Sequence, residues 1–471
     1  MPTVRARLLS AGAIGAVGAV LSALVTTTAA HATDGCGARL IVPGAQRQVA
    51  ACLDDLTTAG TTATGHTVPS DWAGLHPAGA RNPTGVPGIQ IDGYFPDTST
   101  FNTHHGWNHD AQFVIRLPEK WNGGLVVSGS PGTRRQYAND FTISDWVLAK
   151  GYAFAATDKG NSGAEFYKDG RRPGDAIAEW NARMTQLTRA AKAVVAQRYG
   201  RSPRRTFAAG ISNGGYLVRW QLENHPELYD GGIDSEGTLW RADGPNLLTF
   251  LPPVLRAYPS YAATGDPQAH QAILDAGFAP GSEFLWPYHH QVYWELTQRI
   301  YRLELDPSYD GAEAGYDYAS RPDAVRRAVR RISLTGRIRK PLITLHGTYD
   351  ALLPITKDSD VYAAMVRSSG RAVSLGGSTP LRPPASRPAI LAGARLSGRA
   401  AAYRYYRIEG GNHVDGLYDA YPDRLRPILP CMRSAFTALE TWVAGGQAPP
   451  PSATLARPTS GDPANSCSLG S

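Results

Sequence analysis

Three short motifs in this chain contain the residue types that nucleophilic catalysis requires. Ser212 lies in the glycine-rich sequence GISNGG, Asp350 in HGTYDALLP and His413 in GGNHVDG. A serine hydroxyl is a poor nucleophile at neutral pH, so it needs a neighbouring base, usually histidine, to accept its proton. A carboxylate can then hold the imidazole in the correct tautomer and stabilise its cation. We therefore predict that Ser212, His413 and Asp350 form a catalytic triad.

The positions of the three motifs indicate that they can meet. Each follows a short apolar run that predicts a buried strand, at 206–209, 341–346 and 403–409. In a parallel sheet the strand ends lie at one edge, so the three side chains are expected there together. Asp234, which follows the next predicted strand after the serine, is the alternative acid. Asp415 is close to His413 along the chain and is expected to have a structural role.

The sequence around the serine is typical of a strand, a tight turn and a helix. Gly210 and Gly214 lie two residues before and two after Ser212, where a sharp turn leaves no room for side chains. The N–H of Asn213, at the start of the helix, is predicted to stabilise an oxyanion. A second N–H donor is expected from the loop SGSPGT, either at Gly132 or at Thr133.

Strand and helix patterns alternate from residue 88 onward, which predicts an α/β fold with a mostly parallel central sheet flanked by helices. The alternation stops at 236–337, where an aromatic-rich, mainly helical stretch is predicted to be a lid insertion. The remaining predicted units are a signal peptide at 1–32, an N-terminal extension at 33–85, a core in two parts at 86–235 and 338–443, and a C-terminal tail at 444–471. The tail is expected to be poorly structured unless Cys467 anchors it.

Four side chains are candidates for contact with a substrate. Arg134 follows the predicted oxyanion loop and could favour an acidic substrate, or could be solvated or paired with an acid instead. Trp240, Trp286 and Tyr288 lie in the predicted lid, where they could line a binding pocket or form the core of the lid itself.

The N-terminus and the cysteines indicate export. Two arginines, an apolar run at 8–25 and the sequence AHA at 30–32 are the layout of a secretory signal peptide, and a membrane anchor is the alternative interpretation. No later stretch is apolar for long enough to span a bilayer. The four cysteines allow three pairings, and their spacing favours the local bridges Cys36–Cys52 and Cys431–Cys467.

The composition argues against several function classes. The net charge of +7 is small for 471 residues and forms no long run, so nucleic-acid binding is not expected. The cysteines lack C-x-x-C spacing, and His289 and His290 have no evident partner ligands, so no metal site is predicted. The predicted chemistry needs neither a metal nor an organic cofactor.

The span from about residue 88 to 443 resembles the α/β-hydrolase superfamily. Within it the segments WNGGLVVSGSPG, GYAFAATDKGN, GISNGG, HPELYDGGID, HGTYDALLP and GGNHVDG are similar to the secreted tannase and feruloyl esterase group and to 3-hydroxybutyrate oligomer hydrolases. The resemblance implies a carboxylic ester substrate with a phenolic or hydroxy-acid part. Tannase-type enzymes place one cysteine before the serine and one after the histidine, where this chain has Ile211 and Val414.

Three hypotheses about function follow. The first is a secreted serine esterase acting on a small or oligomeric ester, such as a hydroxyalkanoate oligomer or a plant aromatic ester. The second is a secreted serine peptidase of the same fold, in which Glu236 or the lid aromatics would hold a peptide amine. The third is a hydrolase-like binding protein without activity, although such proteins usually lack a triad residue. The oligomeric state is not predicted from the sequence.

Overall fold

The structure is a computed structural model of the chain. It describes residues 39–97, 107, 111–374 and 402–470. The predicted signal peptide and Cys36 lie outside the described residues.

A single mixed sheet organises the described part of the chain. Its ten strands are β1 (Arg47–Leu53), β2 (Gly88–Tyr94), β3 (Gln112–Pro118), β4 (Gly124–Gly129), β5 (Ala153–Thr157), β6 (Arg205–Ile211), β7 (Gly231–Ser235), β8 (Leu342–Gly347), β9 (Tyr403–Ile408) and β10 (Ala453–Leu455).

The strands are arranged in the order β1-β2-β3-β5-β4-β6-β7-β8-β9-β10. The first three strands pair in antiparallel fashion, and β3 also runs antiparallel to β5. From β5 to β10 every neighbouring pair is parallel. The prediction of a mostly parallel central sheet is confirmed. The carboxyl ends of β6, β8 and β9, which precede the three sequence motifs, therefore lie at one edge.

Helices surround this sheet. Those of the described residues are α1 (Thr58–Thr64), α2 (Pro69–Trp72), α3 (Asp145–Ala149), α4 (Asp175–Tyr199), α5 (Asn213–Asn224), α6 (Leu247–Thr264), α7 (Pro267–Asp275), α8 (Trp286–His289), α9 (Glu295–Leu305), α10 (Asp323–Ile332), α11 (Ser359–Ser374) and α12 (Leu429–Val443).

Both faces of the sheet are covered by helices, and successive side chains of a strand point to opposite faces. In β4, Leu125 and Val127 belong to the core on the side of α4 and α5. Val126, between them, packs with the apolar residues of α3 and α12 on the other side. This explains why the central strands have nearly continuous apolar sequences.

The segment between β7 and β8 leaves the sheet and contains α6 to α10. It corresponds to the stretch 236–337 that the sequence suggested as a lid, and we call it the helical insertion. Its first long helix, α6, begins with a capping box, in which Asn246 and Thr249 satisfy each other's backbone N–H groups. The side of α9 that contains Ile300 and Tyr301 packs into the main core.

The sheet extends beyond the predicted core at both ends. Strand β1 lies within the predicted N-terminal extension and pairs with β2, and β10 lies within the predicted tail and pairs with β9. A disulfide joins Cys431 to Cys467, as the spacing predicted, and connects α12 to the tail. Cys52 is also disulfide-bonded. No helix among the described residues is long and apolar enough to cross a membrane.

Candidate active site

Ser212 occupies a strained turn between β6 and α5. Its backbone has φ 57° and ψ −121°, in a region that residues with a side chain rarely adopt. A Cβ atom on Gly210 would lie 2.3 Å from the carbonyl of Gly214, and one on Gly214 would lie 2.3 Å from the carbonyl oxygen of Gly129. Both positions therefore require glycine, and the turn places the serine hydroxyl at the sheet edge.

The loops after β8 and β9 bring the other two candidate residues to this hydroxyl. His413 Nε2 lies 3.0 Å from Ser212 Oγ. His413 Nδ1 lies 2.8 Å from Asp350 Oδ2. With Nδ1 donating to the carboxylate, Nε2 is left as the acceptor for the serine proton. Ser212, His413 and Asp350 therefore lie in the spatial order of a nucleophile, a base and an orienting acid.

Asp350 is buried and surrounded by donors. Its Oδ1 accepts hydrogen bonds from the N–H groups of Leu352 at 2.8 Å and Leu353 at 2.7 Å. Its Oδ2 also lies 3.2 Å from His346 Nε2. Burial by itself would raise the pKa of Asp350, but His413 and His346 outweigh this effect and hold the pKa below its ordinary value. The carboxylate is therefore ionised at neutral pH.

The predicted oxyanion donors lie beside the serine. Gly132, Thr133 and Asn213 line the same cavity as Ser212. Within the described chain no group accepts a hydrogen bond from their backbone N–H groups. The Asn213 side chain donates to the Gly132 carbonyl at 2.9 Å and to the Tyr301 hydroxyl at 2.5 Å. It thereby connects the turn at Ser212 to the loop that contains the other two amides.

The cavity above Ser212 is small and mostly apolar. Its volume is about 180 Å³. Apolar side chains from the insertion and the loops form most of its wall, among them Leu75, Leu247, Leu296, Ile300, Leu352 and Leu353. Ile211 and Val414, the positions where tannase-type enzymes have cysteines, also line it. Among the described lining residues Arg134 is the one permanently charged side chain, and no Asp or Glu contributes.

Arg134 is half-buried at the edge of this cavity. Its Nη1 donates to the carbonyl oxygens of Asp71 at 2.7 Å and Ala73 at 3.0 Å. Burial lowers its pKa from the ordinary value. The two carbonyl contacts fix the guanidinium in place without neutralising it, which differs from both the solvated and the acid-paired alternatives considered from the sequence.

The three aromatic candidates lie outside the cavity lining. Trp240 is fully buried and packs 5.4 Å from the ring of Tyr301. Trp286 is also fully buried, and its Nε1 donates to Ser282 Oγ at 3.0 Å. These two tryptophans form the core of the insertion. Tyr288 is 36% exposed and does not line the cavity.

The positions that Trp240, Trp286 and Tyr288 were expected to take are filled by other residues of the insertion. Tyr293 and Tyr301 line the cavity, as do Leu296, Thr297 and Ile300 on and beside α9. The sequence signal for them is weak. It consists of side chains at helical spacing that turn the same face of α9 towards Ser212, within a segment where most aromatic residues are simply buried.

The alternative acids have different surroundings. Asp234 is buried, with its Oδ2 2.6 Å from Arg219 Nε and within 2.9 Å of the Thr344 hydroxyl. Asp415 accepts hydrogen bonds from the amides of Ile428 and Leu429 at 2.7 and 2.8 Å, so it stabilises the start of α12. Neither carboxylate contacts the imidazole of His413.

Glu236 is a further carboxyl group near His413, and the sequence did not predict this position. Its Oε2 lies 4.0 Å from His413 Nδ1, and its Oε1 accepts a hydrogen bond from the Gly347 amide at 3.2 Å. Glu236, Asp350 and His413 each offer a ligand atom within 4.8 Å of the others, a spacing that a metal ion could also use. His413 Nδ1 is hydrogen-bonded to Asp350 Oδ2 in this arrangement, so this nitrogen offers no free lone pair to an ion.

The chain is similar to known proteins both in sequence and in fold. A family model described as tannase and feruloyl esterase matches residues 98–239, which is less than a third of the chain. The structure of an esterase from Aspergillus oryzae superposes with a TM-score of 0.50 and 14% identity over 87% of this chain and 88% of that one. This chain has the α/β-hydrolase fold.

Two further proteins are similar to this chain. Feruloyl esterase B from Aspergillus oryzae has a TM-score of 0.49 and 14% identity, over 86% of this chain and 88% of that one. Mono(2-hydroxyethyl) terephthalate hydrolase from Piscinibacter sakaiensis is 29% identical over 27% of this chain, and the match spans 23% of that protein's length. The region matched by the family model contains Ser212 and Arg134, whereas Asp350 and His413 lie beyond it.

Proposed function

We propose that this α/β-hydrolase is a serine hydrolase that cleaves carboxylic esters through Ser212, His413 and Asp350. The observation that carries the proposal is the pair of hydrogen bonds that joins the three side chains, 3.0 Å from Ser212 Oγ to His413 Nε2 and 2.8 Å from His413 Nδ1 to Asp350 Oδ2. The tannase and feruloyl esterase match over residues 98–239 supports an ester as the substrate.

The reaction proceeds in two halves. Ser212 Oγ attacks the ester carbonyl carbon while its proton passes to His413 Nε2. The tetrahedral intermediate then expels the alcohol, which takes that proton, and the acyl group stays on Ser212. A water molecule repeats the sequence, giving its proton to His413 and its hydroxyl to the acyl carbon, and the acid is released as the serine regains its proton. Asp350 stabilises the imidazolium in both halves.

The oxyanion that forms in each half is stabilised by backbone amides. The N–H of Asn213 is one donor, and the N–H of Gly132 or Thr133 is the other. Such donors act on charge that develops in the transition state and is absent from the bound ester, and the loss of one typically costs about 3 kcal/mol. The side chain of Asn213 helps to hold the two loops at the required separation, through its bond to the Gly132 carbonyl.

The cavity suggests the substrate class. A volume of about 180 Å³ is below the roughly 300–1,000 Å³ of pockets for drug-sized ligands, so it favours a short or single-ring acyl group. Arg134 would favour a substrate with an acidic group nearby. Aromatic esters and hydroxy-acid oligomers both fit this description, and the names of the matching family model and of the hydrolase from Piscinibacter sakaiensis favour the aromatic class.

A peptidase is the second candidate, and the cavity gives it less support. An aminopeptidase needs an anionic or aromatic group to hold the peptide amine. Glu236 is buried beneath His413 and is not among the lining residues. The aromatic residues that do line the cavity, Tyr293 and Tyr301, share it with Arg134. The lining contains a cation at Arg134, which would repel an amine. An uncharged or acidic ester fits this surface better.

Export of the protein is part of the proposal. The basic, apolar and AHA segments of residues 1–32 have the order of a signal peptide. The Cys431–Cys467 disulfide is the kind of bond that persists in an oxidising compartment. We therefore propose that the protein acts outside the cell.

The test is hydrolysis by the purified mature chain. We expect release of p-nitrophenol from short acyl and aromatic p-nitrophenyl esters, and little cleavage of aminoacyl p-nitroanilides. Ser212→Ala should abolish hydrolysis and labelling by a fluorophosphonate, with an unchanged melting temperature. Ser333→Ala, at a half-buried serine on the end of α10, is the matched control and should retain both. Activity that persists in Ser212→Ala would disprove the proposal.

A further inference from the structure

Glu236 occupies an unusual position directly after β7. Its backbone φ is +51°, in the left-handed region that residues other than glycine seldom adopt. Its N–H donates to the carbonyl of Leu345 in β8 at 2.8 Å, which holds the residue against the neighbouring strand. This conformation turns the Glu236 side chain beneath His413 at the same sheet edge as the proposed triad.

Two carboxyl groups therefore converge on one imidazole nitrogen. Asp350 Oδ2 lies 2.8 Å from His413 Nδ1, and Glu236 Oε2 lies 4.0 Å from the same atom. The side chains of both acids are almost completely inaccessible to solvent. The other oxygen of Glu236 accepts a hydrogen bond from the Gly347 amide at 3.2 Å, which orients the carboxyl group towards the histidine.

The two acids differ in charge. Burial, and then the negative charges of Asp350 and Asp415, raise the pKa of Glu236 well above its ordinary value, and the Gly347 amide opposes this only in part. Asp350 is held ionised by His413 and His346. Two carboxylates this close cannot both ionise without a large cost, so the negative charge is on Asp350 and the proton is on Glu236.

We propose that Glu236 is a second acid of the site, which orients His413 when the negative charge of Asp350 is removed. The inference rests on the proposed function, in which His413 is the base. Glu236 follows the end of β7, the strand whose Asp234 the sequence suggested as the alternative acid. Asp234 is unsuited because its carboxylate already pairs with Arg219. Glu236 has no such cationic partner among the described residues and needs to move by roughly one ångström to reach hydrogen-bond distance.

The groups around Glu236 favour this exchange. Asp350 is the largest charge that opposes ionisation of Glu236, so its removal lowers the pKa of Glu236. Asp415 and Asp234 remain as opposing charges, and Asp234 is compensated by Arg219. On the favourable side, His346 and His413 face the vacated space from β8 and from the loop after β9.

The experiment is a double-mutant cycle with Asp350→Ala and Glu236→Gln. Loss of the acid in a serine triad commonly lowers kcat by roughly 10⁴. If Glu236 substitutes, Asp350→Ala should lose only about 10²-fold in ester hydrolysis and in fluorophosphonate labelling of Ser212. Glu236→Gln should then cost at least tenfold more in the Asp350→Ala background than in the wild-type background. Equal effects in the two backgrounds would overturn the inference.

A second readout does not depend on activity. The pKa of the His413 imidazole is measured by NMR with ¹⁵N-histidine, and its signal is identified by its loss in His413→Gln. The pKa should be lower in Asp350→Ala/Glu236→Gln than in Asp350→Ala by about one unit or more. Equal values would overturn the inference even if Ser212→Ala had already disproved the proposed function.

The control pairs Asp350→Ala with Asp415→Asn, because Asp415 is a buried acid that faces the start of α12 rather than the histidine. This pair should not lower the His413 pKa below that of Asp350→Ala, because Asp415 opposes rather than supports ionisation of Glu236, and a fall equal to that in the Glu236 pair would contradict the inference. If Asp350→Ala unfolds, Asp350→Asn replaces it, since the asparagine oxygen can still accept from the Leu352 and Leu353 amides.

Discussion

His413 Nε2 lies 3.0 Å from Ser212 Oγ, although 201 positions of the chain separate the two residues. Two strands, β7 and β8, lie between the strands that precede them. With neighbouring strands about 4.8 Å apart, the strand axes are roughly 14 Å apart. The loop after β9 must therefore carry the histidine back across the end of β8, and its backbone passes very close to that strand.

We predict that Gly411→Ala disrupts the Ser212–His413 contact without unfolding the protein. A Cβ on Gly411 would lie 2.8 Å from the Cα of Gly347 and 3.0 Å from Ile428, so the loop must shift. Displacement of a catalytic group by about 1 Å can cost on the order of 10²-fold in rate, and we expect a loss of kcat/KM of that size. Gly79→Ala, where the new Cβ meets its nearest atom at 4.0 Å, is the control. Equal kcat/KM values for the two variants would contradict the prediction.

We predict that Arg134 selects for acidic substrates. Arg134→Gln should lower kcat/KM about tenfold or more, or roughly 1.4 kcal/mol, for an ester that bears a free carboxylate. For the matching neutral methyl ester the change should stay within about threefold. The reason is that a half-buried guanidinium interacts more strongly with a charge than an exposed one does. Arg135→Gln, at an exposed neighbour, should affect neither substrate, and a uniform loss for both substrates in Arg134→Gln would argue against the role.

Removal of the Cys431–Cys467 disulfide should destabilise the protein. The bond joins residues 36 positions apart, and cross-links of this loop size typically contribute roughly 2–4 kcal/mol by restricting the unfolded chain. Urea unfolding of Cys431→Ala/Cys467→Ala should show a loss of this size, since the bond connects α12 to the tail that contains β10. Ester hydrolysis at low denaturant should persist, because neither cysteine lines the cavity. An unchanged unfolding midpoint would contradict the prediction.

The stability of the protein should depend on pH through Asp415. Burial raises the pKa of this carboxyl from 3.8 to about 7, although the amides of Ile428 and Leu429 oppose the shift. The folded state therefore binds the proton more tightly than the unfolded state. The resulting stability is complete below the unfolded pKa and is lost as pH rises through the folded one, at about 1.4 kcal/mol per pH unit.

Urea unfolding at pH 5 and pH 6.5 measures this effect. The wild type should lose about 2 kcal/mol more than Asp415→Asn over that interval, because the asparagine cannot ionise. Parallel losses in the two proteins would show that Asp415 is already ionised in the folded state at pH 5, so that its pKa is not raised.

The sequence predicted the sheet and the candidate site where local signals were strong. The turn at Ser212 needs glycine two residues on either side. The clash at Gly210 is with Gly214, within the same turn, and is readable from the sequence, whereas the clash at Gly214 is with Gly129 of β4. The strands that precede the three motifs are buried on both faces, so their apolar runs are evident. Strands β1 and β10 were missed because each has few buried residues, and pairing with a strand distant in the chain places them in the sheet.

The lining of the cavity could not be predicted in the same way. The residue types of Trp240 and Trp286 agree equally with a binding pocket and with a buried core, and packing within the insertion decided for the core. Asp234 and Glu236 are two positions apart, yet one pairs with Arg219 beneath α5 and the other turns towards His413. The left-handed backbone at Glu236 makes this difference, and no local pattern indicates it.

By itself the sequence determined the central strands of the sheet and which three side chains stand after strands β6, β8 and β9. Only the tertiary structure decided that His413 lies within hydrogen-bond distance of both Ser212 and Asp350. It also placed a second carboxyl group beneath the same imidazole and Arg134 at the border of the cavity. The physical reason is range. Strand and turn preferences act between neighbours in the chain, whereas these contacts depend on the packing of segments that lie 63 to 201 residues apart.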